Sequence, residues 1–66
     1  MKEVVILKCI PATVINFNML KLENNTFIFC IFWGYLTKEV KKSKKYWLQG
    51  YMCENRFTIF NFIDYE

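Results

Sequence analysis

Alternation of apolar and polar side chains is the main pattern in this chain, and it predicts β-strands. In residues 13–19, one face of the pattern carries Thr13, Ile15, Phe17 and Met19, and the other carries Val14, Asn16 and Asn18. Successive strand side chains point to opposite sides of a sheet, so this period of two predicts a strand with one face in water. Residues 20–22 are out of phase with Met19, which predicts a β-bulge near Met19 and Leu20.

Four further segments have strand character, and together they predict a five-stranded domain. These strands are residues 2–10, 27–36, 46–53 and 57–65. Pro11 is expected to end or kink the first strand, because proline donates no hydrogen bond to a neighbouring strand. Tight turns are predicted at Asn24-Asn25 and Glu54-Asn55, since asparagine tolerates a positive φ.

Residues 27–36, "FIFCIFWGYL", are uncharged and apolar on both faces of the predicted strand. One face carries Phe27, Phe29, Ile31, Trp33 and Tyr35, and the other carries Ile28, Cys30, Phe32 and Leu36. A membrane-spanning helix needs about 20 apolar residues, and this run is shorter. The pattern instead predicts a central strand covered on both faces. Three covers for the second face are open: the chain's own curled sheet, a second copy, or another molecule.

Residues 1–66 are expected to form one small all-β domain with little or no helix. The strands suggest an antiparallel meander, either a curled sheet or a small barrel of SH3-like or OB-like type. Apolar residues make up 55% of the chain and aromatic residues 20%. A core this small leaves some of those rings near the surface, so a homo-oligomer, with a dimer favoured, is expected.

The cysteines and the N-terminus indicate a reduced, intracellular setting, and we expect a cytoplasmic location. The three cysteines are an odd number, and Glu3 and Lys8 interrupt what would be a signal peptide. Cys9 and Cys30 lie inside strand patterns and are expected to be buried thiols, whereas Cys53, near a turn, is expected to be the most exposed.

The inventory of reactive groups does not suggest an enzyme. The chain has no histidine, and its one serine, Ser43, lies among lysines with no base nearby. The carboxylates are scattered, and the two glycines cannot build a phosphate-binding loop. No catalytic residue, metal or cofactor is predicted.

Two surfaces remain as candidate binding sites. The first combines a basic loop with two rings of the following strand: Lys38, Lys41, Lys42, Lys44, Lys45, Trp47 and Tyr51. Such rings can stack bases while lysines hold phosphate, although a solvated loop beside core aromatics is the favoured interpretation. The second is a candidate protein interface made of Trp33, Tyr35, Phe60, Phe62 and Tyr65.

A small protein-binding module that acts by occluding its target is the leading functional hypothesis. Lysine outnumbers arginine eight to one, which is typical of AT-rich coding and suggests a phage- or virus-encoded inhibitor of a host-cell protein. The alternative is a small barrel that binds nucleic acid through the lysine loop and aromatic stacking. A third hypothesis is an oligomer that sequesters a small ligand at a subunit interface.

Overall fold

A computed structural model describes residues 4–65 and confirms the small all-β barrel. The strands are β1 (Ile6–Asn16), β2 (Met19–Leu22), β3 (Phe27–Phe32), β4 (Lys45–Cys53) and β5 (Arg56–Asp64). A 3-10 helix, Gly34–Lys38, follows β3. The predicted third strand is therefore shorter than expected, because its last residues form this turn of helix.

The strands close into a barrel in the order β1-β2-β3-β5-β4. The β1–β2, β2–β3 and β4–β5 pairs are antiparallel, as a meander requires. However, β5 pairs with β3 in parallel, and β4 returns to pair with β1. The connection between β3 and β4 therefore crosses one end of the barrel, and the chain follows the Greek-key route of the OB type rather than a simple meander.

Pro11 does not end the first strand, because β1 continues through it to Asn16. The β1–β2 ladder begins only at Ala12, whereas the β1–β4 ladder spans Pro11. Among the described residues, one side of β1 is thus unpaired at Pro11, which is where a strand tolerates proline. The predicted start of this strand at Lys2 lies outside the described residues.

The chain reverses direction at Phe17 and Asn18, inside the segment that was predicted to be a single strand. The side-chain oxygen of Asn16 accepts a hydrogen bond from the Asn18 N–H at 2.9 Å, which stabilises the turn. The predicted bulge near Met19 and Leu20 is present at this point of the β1–β2 ladder, but its extra residue lies on β1, between Val14 and Asn16, the partners of Leu20 and Met19.

This turn reverses the predicted faces of the segment. Val14 is fully buried beside Ala12, whereas Ile15 and Phe17 are exposed. The prediction treated residues 13–19 as one strand, although the turn divides them between two strands whose inward-facing positions differ in phase. The inner and outer faces were therefore assigned incorrectly.

The core draws on every strand and on the connection between β3 and β4. Its buried members are Ala12, Val14, Leu20, Cys30, Phe32, Leu36, Val40, Tyr46, Leu48, Phe57 and Ile59. Leu36 and Val40 come from the connection. The Tyr46 hydroxyl accepts a hydrogen bond from the Lys41 N–H at 2.9 Å, which ties this connection to β4.

The cysteines differ in burial, and only part of their prediction is confirmed. Cys30 is buried as expected, but Cys9 is exposed and Cys53 is half-buried. Burial raises the pKa of the Cys30 thiol to about 12. Cys9 lies opposite Gln49 of β4, on the outer face of the barrel.

Iodoacetamide at pH 8 is expected to label Cys9 in the folded protein and to leave Cys30 unmodified. The thiolate is the reactive species, and at this pH Cys30 is almost entirely a buried thiol. Mass spectrometry of peptides after timed labelling measures both sites. Labelling in denaturant, where both thiols should react, is the control; rapid labelling of Cys30 in the native protein would contradict its burial.

Candidate functional site

The outer face of β3 carries an uncovered row of apolar side chains. Cys30 and Phe32 point into the barrel, so the residues of β3 that alternate with them point outward. We call the exposed set the β3 outer row: Phe27, Phe29 and Ile31 on β3, Trp33 directly after it, and Tyr35 in the 3-10 helix. Phe29 is 62% exposed and Phe27 is 56% exposed. The sequence predicted that both faces of this segment are covered, but the described residues cover only one.

Two cationic residues are the register partners of the two phenylalanines in this row. Lys21 of β2 is the register partner of Phe27, and Arg56 of β5 is the partner of Phe29. Register partners on neighbouring strands share a face of the sheet, so each ring has a cation as its neighbour. Sequence reasoning missed both cations, because only the pairing of distant segments brings them to β3.

Two turns flank the middle of the β3 outer row. The β1–β2 turn is attached to β3 by a hydrogen bond from the Cys30 N–H to the Asn18 carbonyl oxygen, at 3.1 Å. The predicted turn after β4 is present, with Glu54 at a φ of 57°. A depression of about 440 Å³ lies between these turns, and its lining includes Asn18, Phe29, Ile31, Asn55 and Arg56.

The far end of the row joins an aromatic cluster around Phe60. The Phe60 ring lies 5.8 Å from that of Trp33 and 5.3 Å from that of Tyr51, centroid to centroid. The Tyr35 hydroxyl donates a hydrogen bond to the Phe60 carbonyl oxygen at 3.0 Å. The structure thus brings together Trp33, Tyr35 and Phe60 of the predicted protein interface, and adds Tyr51 from the other predicted surface.

The other two members of that predicted interface lie elsewhere. Phe62 packs against the core, with its ring 5.0 Å from that of Tyr46. Tyr65 stacks on Trp47 at a centroid distance of 5.6 Å. Trp47 and Tyr51 both point outward from β4, but each belongs to a different aromatic group.

The lysine loop is partly engaged in contacts with the rest of the barrel. The Lys45 ammonium lies 2.6 Å from a Glu23 carboxylate oxygen and 4.1 Å from the centre of the Tyr65 ring. The hydrogen bond and charge of Lys45 lower the pKa of Glu23, and the same hydrogen bond raises the pKa of Lys45. Lys44 lies 3.5 Å from Asp64.

The remaining lysines of this predicted surface are exposed, but they form no shared site with its rings. Lys42 lies 5.4 Å from the centre of the Phe17 ring, and Lys38 ends the 3-10 helix. The backbone N–H of Lys41 donates a hydrogen bond to the Tyr46 hydroxyl. Two of the five lysines of this surface, Lys44 and Lys45, are therefore matched by carboxylates.

Comparison with known proteins identifies no relative: no family model, curated protein or solved structure matches the chain. Within residues 4–65, no group of three or more His, Cys, Asp or Glu side chains is arranged to hold a metal ion. No helix in this part of the chain has the length and apolar character required to cross a membrane. The exposed side chains themselves are therefore the basis for a function.

Proposed function

We propose that the protein binds single-stranded nucleic acid on the outer face of β3. The observation that carries this proposal is the pairing of exposed rings with cations, Phe27 with Lys21 and Phe29 with Arg56. Bases stack on flat aromatic side chains of a sheet, and cations beside them hold the phosphates. The net charge of +3 favours the approach of a polyanion.

The strand order and the flanking turns also favour the outer face of β3 as the binding surface. Barrels of the OB type bind oligonucleotides on the face of strands 2 and 3 and on the adjoining loops. A fold does not assign a function, so this likeness only adds to the argument from the side chains. The amides of Asn18 and Asn55 border the depression, and an amide carries both the donor and the acceptor that a base edge needs.

Replacing Phe29 with alanine is expected to weaken binding of single-stranded DNA or RNA about 5- to 150-fold. This range corresponds to the loss of one base stack, about 1–3 kcal/mol. Fluorescence anisotropy with end-labelled oligo(dT) and oligo(U) at low salt measures the affinity. Phe29 is 62% exposed, so its loss removes little packing, and circular dichroism checks that the variant is folded.

Tyr65→Ala is the matched control, because it removes an exposed ring that lies on Trp47 rather than on β3. Its affinity should equal that of the wild type. Arg56→Gln should make binding less dependent on salt, with the slope of log affinity against log salt reduced by about 0.7. Absence of binding by the wild type at low salt would overturn the proposal, and equal losses in Phe29→Ala and Tyr65→Ala would overturn the location.

A protein-binding module is the second candidate, and the Phe60 cluster favours it. Trp33, Tyr35, Tyr51 and Phe60 meet in one group without a charged member, and rings with one polar end are common anchors at protein interfaces. A phage- or virus-encoded inhibitor would use such a patch to occlude a host protein. A captured protein that Trp33→Ala loses and Tyr65→Ala retains would support this candidate.

A further inference from the structure

The first half of β1 has an open edge. Ile6 to Pro11 pair with β4, and the ladder to β2 starts only at Ala12. Among the described residues, this part of β1 is therefore paired on one side alone. Val4, at 72% exposed, and Leu7, at 64% exposed, show how little of this segment the chain covers. An unpaired strand edge presents backbone groups that can bond to another strand.

The hydrogen bonds of Val14 determine which backbone groups point toward the open side. The Val14 N–H donates to the Lys44 carbonyl oxygen at 3.0 Å, and the Val14 carbonyl oxygen accepts from the Ser43 N–H at 2.6 Å. Both groups of Val14 thus face the β4 side. The bonding direction alternates along a strand, so the even-numbered residues of β1 up to Val14 face β4. The open side receives the backbone groups of Leu7, Cys9 and Pro11, and proline lacks an N–H at the end where pairing stops.

We propose that a second copy of the chain pairs antiparallel with this edge, so that the two barrels form a two-fold dimer with one continuous sheet. A two-fold axis places the same pattern of donors and acceptors on both sides, so the edge is complementary to itself. Residues 4–11 carry a single charge, on Lys8, and the remaining side chains there are apolar or neutral. A barrel this small also gains a larger buried surface by pairing.

The sequence of the edge selects one register among the two-fold alternatives. An axis at Lys8 would place two lysines directly opposite each other, which is unfavourable. An axis at Cys9 would place Leu7 opposite Pro11, where the missing N–H removes a bond on each side. An axis at Leu7 pairs Leu7 with its own copy and Val5 with Cys9, and Lys8 then lies opposite Ile6. Of these three registers, the one with its axis at Leu7 is the one that we propose for the dimer.

This interface is independent of the proposed nucleic-acid site. The open edge belongs to β1, and the β3 outer row belongs to a strand that is not its neighbour in the barrel. A dimer through β1 therefore leaves Phe27 and Phe29 uncovered and provides two copies of that face. Either proposal can fail without the other.

Light scattering after size-exclusion chromatography, over a range of protein concentrations, tests the dimer. The wild type is expected to have twice the 8.1 kDa mass of one chain. Leu7→Lys would place two like charges on the dimer axis, so its mass should shift to that of one chain. Ile63→Lys is the control, because it adds the same charge at an exposed strand position of β5. That variant should remain dimeric.

Three results would overturn the proposal: a wild type that stays monomeric up to millimolar concentration, a dimer that persists in Leu7→Lys, or equal dissociation of Leu7→Lys and Ile63→Lys. A monomeric wild type would mean that the open edge of β1 is available to pair with an extended segment of another protein. Either of the other two results would place the interface elsewhere. Circular dichroism of each variant shows that the barrel is intact.

Discussion

Replacing Phe57 with alanine is expected to remove most of the free energy of unfolding. Phe57 is fully buried on β5, between its partners Cys30 on β3 and Met52 on β4. Deletion of a buried phenylalanine ring destabilises a protein by about 3–5 kcal/mol. A domain of this length has a total stability of about 3–10 kcal/mol, so the variant should be largely unfolded under mild conditions.

Urea denaturation followed by tryptophan fluorescence measures this effect as a lower midpoint. Phe27→Ala is the matched control, because it removes the same ring from the exposed face of β3. Its midpoint should stay close to that of the wild type, since exposed substitutions change stability by about 0.5 kcal/mol or less. Equal midpoints for the two variants would contradict the assignment of Phe57 to the core.

Gly50→Ala is expected to destabilise the barrel by about 1–3 kcal/mol through steric overlap. A Cβ atom at Gly50 would collide with the Thr58 carbonyl oxygen and would lie 2.8 Å from the Thr58 carbonyl carbon and 2.9 Å from the Ile59 Cα. All three are backbone atoms of the paired strand, so they cannot rotate away as a side chain would. In a domain of this size, each kcal/mol lowers Tm by about 4–8 °C.

Thermal unfolding followed by circular dichroism tests this prediction, with Gly34→Ala as the control. A Cβ at Gly34 would have no atom within 4 Å, so that variant should melt close to the wild type. Equal melting temperatures for the two glycine variants would contradict the close approach of β4 and β5 at Gly50.

The close approach at Gly50 also bears on the candidate surface. Gln49 pairs with Asn61 and Gly50 pairs with Ile59, so Phe60 is the extra residue of a bulge in β5. The bulge allows Ile59 to point into the core while the ring of Phe60 meets Trp33 and Tyr51. We therefore expect changes at Gly50 to disturb the aromatic cluster as well as the stability.

Local features of the fold were predicted from the sequence because they depend on neighbouring residues. The Asn24-Asn25 turn is present, with Asn25 at a φ of 68°, and the turn at Glu54-Asn55 is present too. The alternation in residues 46–53 predicted a strand there, but the favoured interpretation of Trp47 and Tyr51 as core rings is wrong, because both are exposed and Tyr46 and Leu48 are buried. The ends of β1 and β3 were not predicted, because they depend on where partner strands begin and end.

The candidate site was predicted only in part, for the same reason. Trp33, Tyr35 and Phe60 were recognised as surface rings from the excess of aromatic residues. Lys21 and Arg56 were not, since nothing in their own segments distinguishes them from any exposed cation. They become neighbours of Phe27 and Phe29 only through the β2–β3 and β3–β5 ladders.

By itself, the sequence determined that residues 27–36 are apolar on both faces and belong to one small all-β domain. It also determined two of the tight turns, because asparagine and polar residues there permit the required backbone angles. Only the tertiary structure decided which face is covered. Closure of the barrel places Cys30 and Phe32 against Phe57 and Ile59, and within residues 4–65 no second layer covers the outside of β3. Both the exposure of the outer face of β3 and the positions of Lys21 and Arg56 next to it depend on pairing between distant segments. No local sequence pattern encodes that pairing.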